Sequence, residues 1–171
     1  MKINEFNCIS EHNDIDEYLE FYKYVKSNMK EPSWLGEFSL NELINILNNE
    51  GKLFNFYDNN TIVCSMLYIP SNNKTIKKHN LNYDEKLVGS CGPIMVNPKY
   101  VGNKFQKQML ELLDKYCKSI GKRYIFTKVH PDNIYSINNF VSDGYKFVET
   151  YKTSSGEPRS VYFKCKCQTF L

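Results

Sequence analysis

Two junctions between a strand and a helix carry the residues whose types and spacing could do chemistry. Residues 96–106 read VNPKYVGNKFQ: an apolar strand runs into a proline, then a turn with one glycine, then an amphipathic helix. Residues 129–136 read VHPDNIYS, a second strand that stops at Pro131 before a short helix starting at Asp132 or Asn133. The first turn of a helix presents unpaired N–H groups and the positive end of the helix dipole, which together hold phosphate. The pattern predicts that both junctions face one elongated, anionic ligand.

Five side chains near the second junction could take or give a proton during a reaction there. They are His130, Tyr135, Tyr145, Glu149 and Tyr162. His130 has a reference pKa near neutrality, which suits a general base, and Tyr135 is a candidate acid. A histidine that precedes a proline at a strand end is also a common structural residue, and a substrate can lose its proton to water. The identity of the catalytic acid and base therefore stays open.

The composition is that of a folded globular protein, and we expect a single domain over residues 1–171. Hydrophobic residues make up 42% of the chain and charged residues 24%. The net charge of +3 is unevenly distributed, because the first 50 residues hold four Lys against ten Asp and Glu. Residues 99–123 instead hold seven basic and two acidic residues. A basic region at the first junction suits a phosphorylated ligand, although charge on a solvated helix face has the same appearance.

Several classes of partner are not expected. The six cysteines lack the paired spacing of a metal site, so no metal is predicted. The chain opens without a signal-peptide pattern, and no apolar run reaches the length that crosses a membrane. The aromatic residues fall mainly at core spacings, whereas nucleic-acid binding would need them on an exposed face. We expect a cytoplasmic protein, monomer or homodimer, that binds neither membranes nor nucleic acid.

Hydrophobic periodicity predicts strands and helices that combine into a mixed α/β sandwich. The predicted order is a strand, two helices, three strands, a helix, a strand, a helix and two strands. A capping box at Ser39 and Glu42 marks the start of the second helix. The predicted elements are an opening strand at 2–9, a helix at 14–29, a short helix from 39 to near 51, strands at 53–57 and 61–68, a polar loop at 70–85, a strand at 87–96, helix 104–120, strand 124–129, helix 133–143 and a closing hairpin at 145–152 and 160–167.

Order and spacing resemble the GCN5-related N-acetyltransferases (GNAT) over essentially the whole chain. The specific part of the resemblance runs from Val96 to Tyr145. The family's strand ends in a run like Val-x-Pro-x-Tyr and is followed by Arg/Gln-x-x-Gly-x-Gly/Ala, which residues 96–106 resemble. Residues 129–136, with Gly144 and Tyr145 after them, resemble the family's Val-His-Pro-Asp-Asn-x-x-Ser and Gly-aromatic runs.

This resemblance implies an α/β (α+β) fold of the acyl-CoA N-acyltransferase type, with a mixed, mostly antiparallel central sheet flanked by helices on both faces. It implies acetyl-CoA or another acyl-CoA as cofactor, and direct acetyl transfer to a primary amine of a small molecule or peptide in a ternary complex. The first strand's backbone would pair with the pantetheine arm, the next turn and helix start would hold the pyrophosphate, and the second helix would contact the arm. The cofactor residues implied are Ile94, Met95, Val96, Val101, Gly102, Asn103, Lys104, Phe105, Gln106, Lys107, Asn133, Ser136 and Asn139.

Each of these assignments has an ordinary structural alternative. The strand residues could simply belong to the core, and the turn could be a basic surface turn. Asn133 and Ser136 could be a helix cap and a surface polar residue.

Three residues depart from the family pattern. Val101 replaces the usual Arg or Gln, and Lys104 replaces a Gly. The Cβ of Lys104 could push a phosphate outward, whereas its ammonium group could bind one. Phe140 stands where a Tyr often acts as general acid. These departures motivate an alternative function, a non-catalytic acyl-CoA-binding sensor or partner module of the same fold, which would bind the cofactor without turning over any amine.

We expect the acceptor to enter from the side lined by the first two helices, Trp34 and the 70–85 loop. The acidic residues near the N-terminus hint at a cationic amine acceptor, although a generic acidic helix explains them equally well.

Overall fold

The computed structural model describes residues 1–3, 7–9, 15–37 and 39–166. The predicted order of elements is confirmed, with one short helix added inside the predicted 70–85 loop. Residues 4–6 of the predicted opening strand, residue 14 of the first helix and residue 167 of the last strand lie outside the described residues. The strands and α-helices are β1 (Asn7–Ile9), α1 (Ile15–Ser27), α2 (Leu40–Asn48), β2 (Lys52–Asp58), β3 (Thr61–Pro70), α3 (Asn73–Lys78), β4 (Val88–Val96), α4 (Phe105–Ser119), β5 (Tyr124–Val129), α5 (Ile134–Ser142), β6 (Lys146–Lys152) and β7 (Pro158–Cys165).

The described strands form one seven-stranded sheet in the order β1-β2-β3-β4-β5-β7-β6. Every neighbouring pair is antiparallel except β4 and β5, which are parallel. The register of β3 against β4 shifts near Tyr68, opposite the Gly92-Pro93 segment of β4. The expected mixed, mostly antiparallel sheet is therefore confirmed.

Helices pack on both faces of this sheet, as expected. On one face, Tyr18 of α1 and Leu43 of α2 are buried with Leu53, Leu67 and Met95 of the sheet. On the other face, α4 contributes the apolar stripe that its spacing predicts. The buried members of that stripe are Phe105, Met109, Leu113 and Cys117, and Leu110 is buried beside them.

Helix α3 covers the part of the sheet next to α1 and α2. Ile76 of α3 packs with Phe126 of β5 and Val161 of β7. Ile69, which packs with the α1 and α2 cluster, lies opposite Ser90, and Ser90 lies beside Phe126. Because paired residues share a face of the sheet, α1, α2 and α3 all lie on the same face. We call this the α1–α3 face, and the other one the α4 face.

Local sequence accounts for the start of α2. The Ser39 side chain accepts a hydrogen bond from the Glu42 backbone N–H, and the Glu42 carboxylate accepts one from the Ser39 backbone N–H. The predicted capping box is confirmed. Such a box provides hydrogen-bond acceptors for two backbone N–H groups that the helix itself leaves unpaired.

Candidate active site

The strands β4 and β5 separate at their carboxyl ends. Their parallel pairing ends at Cys91 and Thr127, although β4 continues alongside β3 as far as Val96. Beyond Cys91, no strand of the described residues pairs with the β5 side of β4. Helices α4 and α5 follow β4 and β5 in the chain, so both begin at this same edge. Ligands of open α/β sheets bind at such an edge, between strands that diverge.

The backbone of β4 turns alternate residues toward this opening. The Asn97 backbone N–H donates to the Val63 carbonyl of the β3 side at 2.8 Å. Backbone groups alternate between the two sides of an antiparallel strand, so those of Ile94 and Val96 face away from β3. An extended ligand can pair with such an edge as an added strand. The Met95 side chain is buried on the α1–α3 face, and Ile94 and Val96 pack against the core of the α4 face. Core packing and an open backbone therefore coexist here.

The N-terminus of α4 has no side-chain cap. Its cap residue is Lys104, whose side chain makes no capping hydrogen bond. The starts of α2, α3 and α5 are capped by the side chains of Ser39, Asn72 and Asn133. Gly102 has a φ of +93°, and a Cβ atom added to it would meet nothing within 4 Å. The turn before α4 thus leaves open space in front of a helix start, as an anion site requires.

Basic side chains surround this turn. Val101 is 70% exposed, and the Asn103 side chain donates to the Tyr100 carbonyl at 2.9 Å. A shallow depression beside the turn holds three lysines and one glutamate. Its lining residues are Met1, Lys2, Gly102, Asn103, Lys104, Lys107, Gln108 and Glu111. The excess of positive charge suits a phosphate group.

Residues from the two junctions meet directly. The Gln106 side chain donates to the Ser136 hydroxyl at 2.8 Å and accepts from the Asn139 side chain at 2.9 Å. Asn133 caps α5 by accepting from the Ser136 backbone N–H at 3.1 Å, which is the structural role that its type also allowed. The sequence analysis expected both junctions to face one ligand, and these contacts place the two junctions side by side. The contacts of these four residues with a cofactor stay a prediction.

The two candidate proton-transfer residues differ in their surroundings. Tyr135 is 80% exposed on the first turn of α5. His130 is buried, and its Nδ1 accepts a hydrogen bond from the Asp132 backbone N–H at 3.2 Å. This bond places the proton of the neutral ring on Nε2, which lies 4.0 Å from a Glu157 carboxylate oxygen. The hydrogen bond from the Asp132 backbone N–H would have to break before His130 Nδ1 could accept a proton.

The model of the Acetyltransferase (GNAT) family matches residues 14–145 of this sequence. The chain belongs to the GNAT family. Acetyl-CoA is the cofactor of GNAT acetyltransferases, so the expected cofactor is confirmed at the level of the family. No curated protein matches the chain by sequence.

Solved GNAT structures share the fold of this chain. An N-acetyltransferase from Staphylococcus aureus is 15% identical, with a TM-score of 0.69 over 94% of this chain and 98% of the other. The ribosomal-protein-S18-alanine N-acetyltransferase of Escherichia coli is 13% identical, with a TM-score of 0.70 over 96% and 97%. A Salmonella typhimurium structure that holds its cofactor acetyl-CoA is 10% identical, with a TM-score of 0.67 over 97% and 96%. At these identities the likeness establishes the fold alone.

Phe140, which the resemblance places at the acid position of the family, is a core residue. Phe140 is buried and packs edge-to-face on Tyr145, with ring centroids 5.2 Å apart. The Tyr145 hydroxyl is buried, and burial raises its pKa well above the ordinary value. Burial also raises the pKa of the Cys91 thiol to about 12, so this cysteine stays protonated at neutral pH. A covalent acyl-cysteine route therefore has no support in the geometry.

The two other candidates make contacts elsewhere. Tyr162 is buried in the core, where it packs against Phe147. The Glu149 carboxylate is hydrogen-bonded to His79 Nδ1 at 2.7 Å. The sequence analysis did not single out Lys128 or Arg159, which both lie on the α1–α3 face near the opening. A charged residue next to the end of the mostly apolar YIFTKV strand is the signal that marks Lys128.

Among the described residues, every helix is too short or too polar to cross a membrane.

Proposed function

We propose that this protein transfers an acetyl group from acetyl-CoA directly to a primary amine of a small molecule or peptide, with both reactants bound at once. The observation that carries the proposal is the opening between β4 and β5, which leads to the uncapped start of α4. Membership in the GNAT family supports it. The acceptor, the cytoplasmic location and the choice between monomer and homodimer stay predictions from the sequence.

The residues at the first junction fit the cofactor. In this proposal the backbone N–H groups of residues 102–107 hold the pyrophosphate, and Lys104 and Lys107 add positive charge. The backbone of Ile94 and Val96 pairs with the pantetheine arm, and Ser136 and Asn139 contact the same arm from α5. When bound, acetyl-CoA supplies an acyl group that is already activated as a thioester.

The chain's own contribution is to orient the reactants and to stabilise negative charge on the acyl oxygen. A backbone N–H of β4 aimed at that oxygen is worth about 3 kcal/mol by analogy with other oxyanion sites. Alignment of the amine with the acyl carbon supplies a large further part of the rate. We assign proton donation to Tyr135 and loss of the amine proton to water, because His130 already uses Nδ1 in its turn.

Binding is tested by the thermal stability of the protein with acetyl-CoA. A ligand present at a hundred times its Kd adds about 2.7 kcal/mol, which for this chain length raises Tm by roughly 5–11 °C. We expect Gly102→Asp to abolish this shift, because it places negative charge in the phosphate cradle. Gly156→Asp is the matched control: Gly156 also has a positive φ with open space around it, but lies in the β6–β7 turn. If acetyl-CoA raises the Tm of Gly102→Asp as much as that of the wild type, the phosphate groups bind elsewhere.

Turnover is tested by release of the CoA thiol with a panel of primary amines. We expect release that depends on the amine and produces the acetylated amine in equal amount. Binding of acetyl-CoA without turnover of any amine would favour the non-catalytic acyl-CoA-binding module that Lys104 and Phe140 motivate.

A further inference from the structure

A group of cations lies on the α1–α3 face beside the opening between β4 and β5. It consists of Lys78 at the end of α3, Lys128 of β5 and Arg159 of β7, arranged around the ring of Tyr151 on β6. Tyr151 lies directly opposite Arg159 in the sheet, and Lys128 lies opposite Val161, two residues further along β7. We call these four residues the basic subsite.

Arg159 is a buried charge without a counterion. It is 8% exposed, and its guanidinium donates to the Pro158 carbonyl at 2.7 Å and the Ser33 carbonyl at 3.0 Å. No Asp or Glu of the described residues forms an ion pair with it. Buried charges in proteins are normally paired, because an isolated one loses the solvation it has in water. The geometry of Arg159 therefore points to an anion that is absent from the chain itself.

The two lysines share one aromatic ring and have no carboxylate partner either. Lys78 Nζ lies 4.6 Å from the centre of the Tyr151 ring, and Lys128 Nζ lies 5.9 Å from it. Neither forms an ion pair within the described part of the chain. Glu149, on the same strand as Tyr151, is hydrogen-bonded to His79 at 2.7 Å. Lys128 is exposed at the surface, and its pKa is nevertheless lowered, first by partial loss of solvation and then by the charge of Lys78.

The basic subsite lies where an acceptor would approach the acyl group. Lys128 directly follows Thr127, the last residue of β5 that pairs with β4. Its side chain shares the α1–α3 face with Phe126, and the sequence analysis expected the acceptor to enter from that side. Neighbouring strands are about 4.8 Å apart, so the subsite on β5, β7 and β6 lies within roughly 10 Å of the opening.

We propose that the amine acceptor carries an oxyanion, a carboxylate or a phosphate, and that Arg159 and Lys128 bind this group while the amine reaches the opening. Arginine donates two parallel hydrogen bonds to either oxyanion, and a nearby lysine adds charge. The inference rests on the acetyl transfer proposed above and names the substrate class of that site. It adds an anionic group to the cationic amine that the acidic residues among the first 50 hint at.

The test compares matched pairs of amines with full-length protein and acetyl-CoA. One pair type is an amino acid against its amide, across several side chains, and the other is O-phosphoethanolamine against ethanolamine. We expect kcat/KM to favour the anionic member by about tenfold to a hundredfold in at least one pair type, since a site built for a hydrogen-bonded group rejects analogues that lack it. The pair type that shows the preference identifies carboxylate or phosphate as the recognised group.

Variants of the subsite then assign the preference to its residues. We expect Arg159→Gln to reduce the anionic preference to near unity, mainly through KM for the anionic amine. Because Arg159 also donates a hydrogen bond to the Ser33 carbonyl, Arg159→Gln removes a contact of the fold as well. Lys128→Gln, a change at an exposed side chain, is therefore the second variant, and it should reduce the preference for the anionic amine several-fold. Lys152→Gln is the matched control, because Lys152 is an exposed lysine of β6 on the opposite side of the strand from Tyr151. Turnover of anionic and neutral amines should stay at the wild-type level in Lys152→Gln.

Three results would overturn the inference. They are a preference for the neutral member of every pair, an unchanged preference in both variants, and failure to acetylate any anionic amine although acetyl-CoA still raises Tm. Absence of that rise in the wild-type protein would instead remove the proposed function, and this inference with it.

Discussion

At the scale of single residues, Lys104 is the departure from the family pattern with the clearest physical cost. It has a φ of +58°, which lies in the left-handed region that favours glycine. For residues other than glycine this conformation costs about 1–2 kcal/mol. This strained residue is the N-cap of α4, so its side chain places a cation at the start of the helix.

We predict that Lys104→Gly stabilises the protein without ligand. Relief of the left-handed strain should raise the free energy of unfolding by about 1 kcal/mol, or Tm by roughly 2–4 °C. Thermal unfolding with acetyl-CoA absent measures the effect. Lys107→Gly is the control with the opposite sign, because glycine inside a helix costs about 1 kcal/mol. Equal destabilisation by both variants would show that Lys104 is not strained.

Local residues of the site could be predicted from the sequence, whereas those brought together across strands could not. Gly102 and Gln106 belong to a contiguous motif whose turn and helix start are set by neighbouring residues. Arg159 and Lys128 share a site only because β7 pairs with β5 in one particular register. That register depends on packing across the whole sheet, and no local pattern reports it. Phe140 marked a departure in the sequence, but only its burial against Tyr145 explains why it is apolar.

At the scale of elements, hydrophobic periodicity predicts the order of strands and helices, and it misses one helix. Helix α3 has six residues, too few for two full helical turns of apolar spacing, and it reads as a polar loop. Its stability comes from contacts that the sequence does not display. Ile76 packs against Phe126 and Val161, and His79 at its end bonds to Glu149 of β6. The divergence of β4 from β5 is likewise a property of pairing rather than of either strand alone.

We predict that the attachment of α3 to β6 makes stability depend on pH. The His79 side chain is fully buried, and burial lowers its pKa below 6.5, with Lys128 and Lys78 adding to the effect and Glu149 opposing it. At pH values between the lowered pKa and 6.5, His79 binds a proton in the unfolded chain but not in the folded protein. Stability should therefore be highest above pH 6.5 and fall as the pH drops through that window, with a slope of up to about 1.4 kcal/mol per pH unit from this residue.

Urea unfolding between pH 5 and 7.5 measures this contribution. His79→Leu should be less stable at pH 7.5, because it loses the bond to Glu149, and should show a shallower decline toward pH 5 than the wild type. An identical slope in the two proteins would mean that His79 does not change its pKa on folding.

At the scale of the whole molecule, charge is divided unevenly along the chain. The first 50 residues, which form α1 and α2, hold four Lys against ten Asp and Glu, whereas the rest of the chain holds 18 Lys and Arg against nine Asp and Glu. The proposed phosphate cradle at the start of α4 belongs to this second, basic part of the chain, and α4 packs on the other face of the sheet from α1 and α2. An excess of positive charge around the cradle attracts an anionic cofactor.

We predict that this attraction makes acetyl-CoA binding sensitive to salt. Raising the ionic strength from 0.1 M to 1 M shortens the screening length from about 10 Å to about 3 Å, so the Kd of acetyl-CoA should rise several-fold. S-acetylpantetheine is the matched ligand, because it keeps the thioester and the arm but lacks the phosphates. It should bind more weakly, with a Kd that changes little over the same range, since pairing with β4 involves no net charge. Titration calorimetry of both ligands at several salt concentrations measures the difference. Parallel salt dependence of the two would place the diphosphate away from the lysines at the start of α4, and would leave the charge separation without a role in cofactor binding.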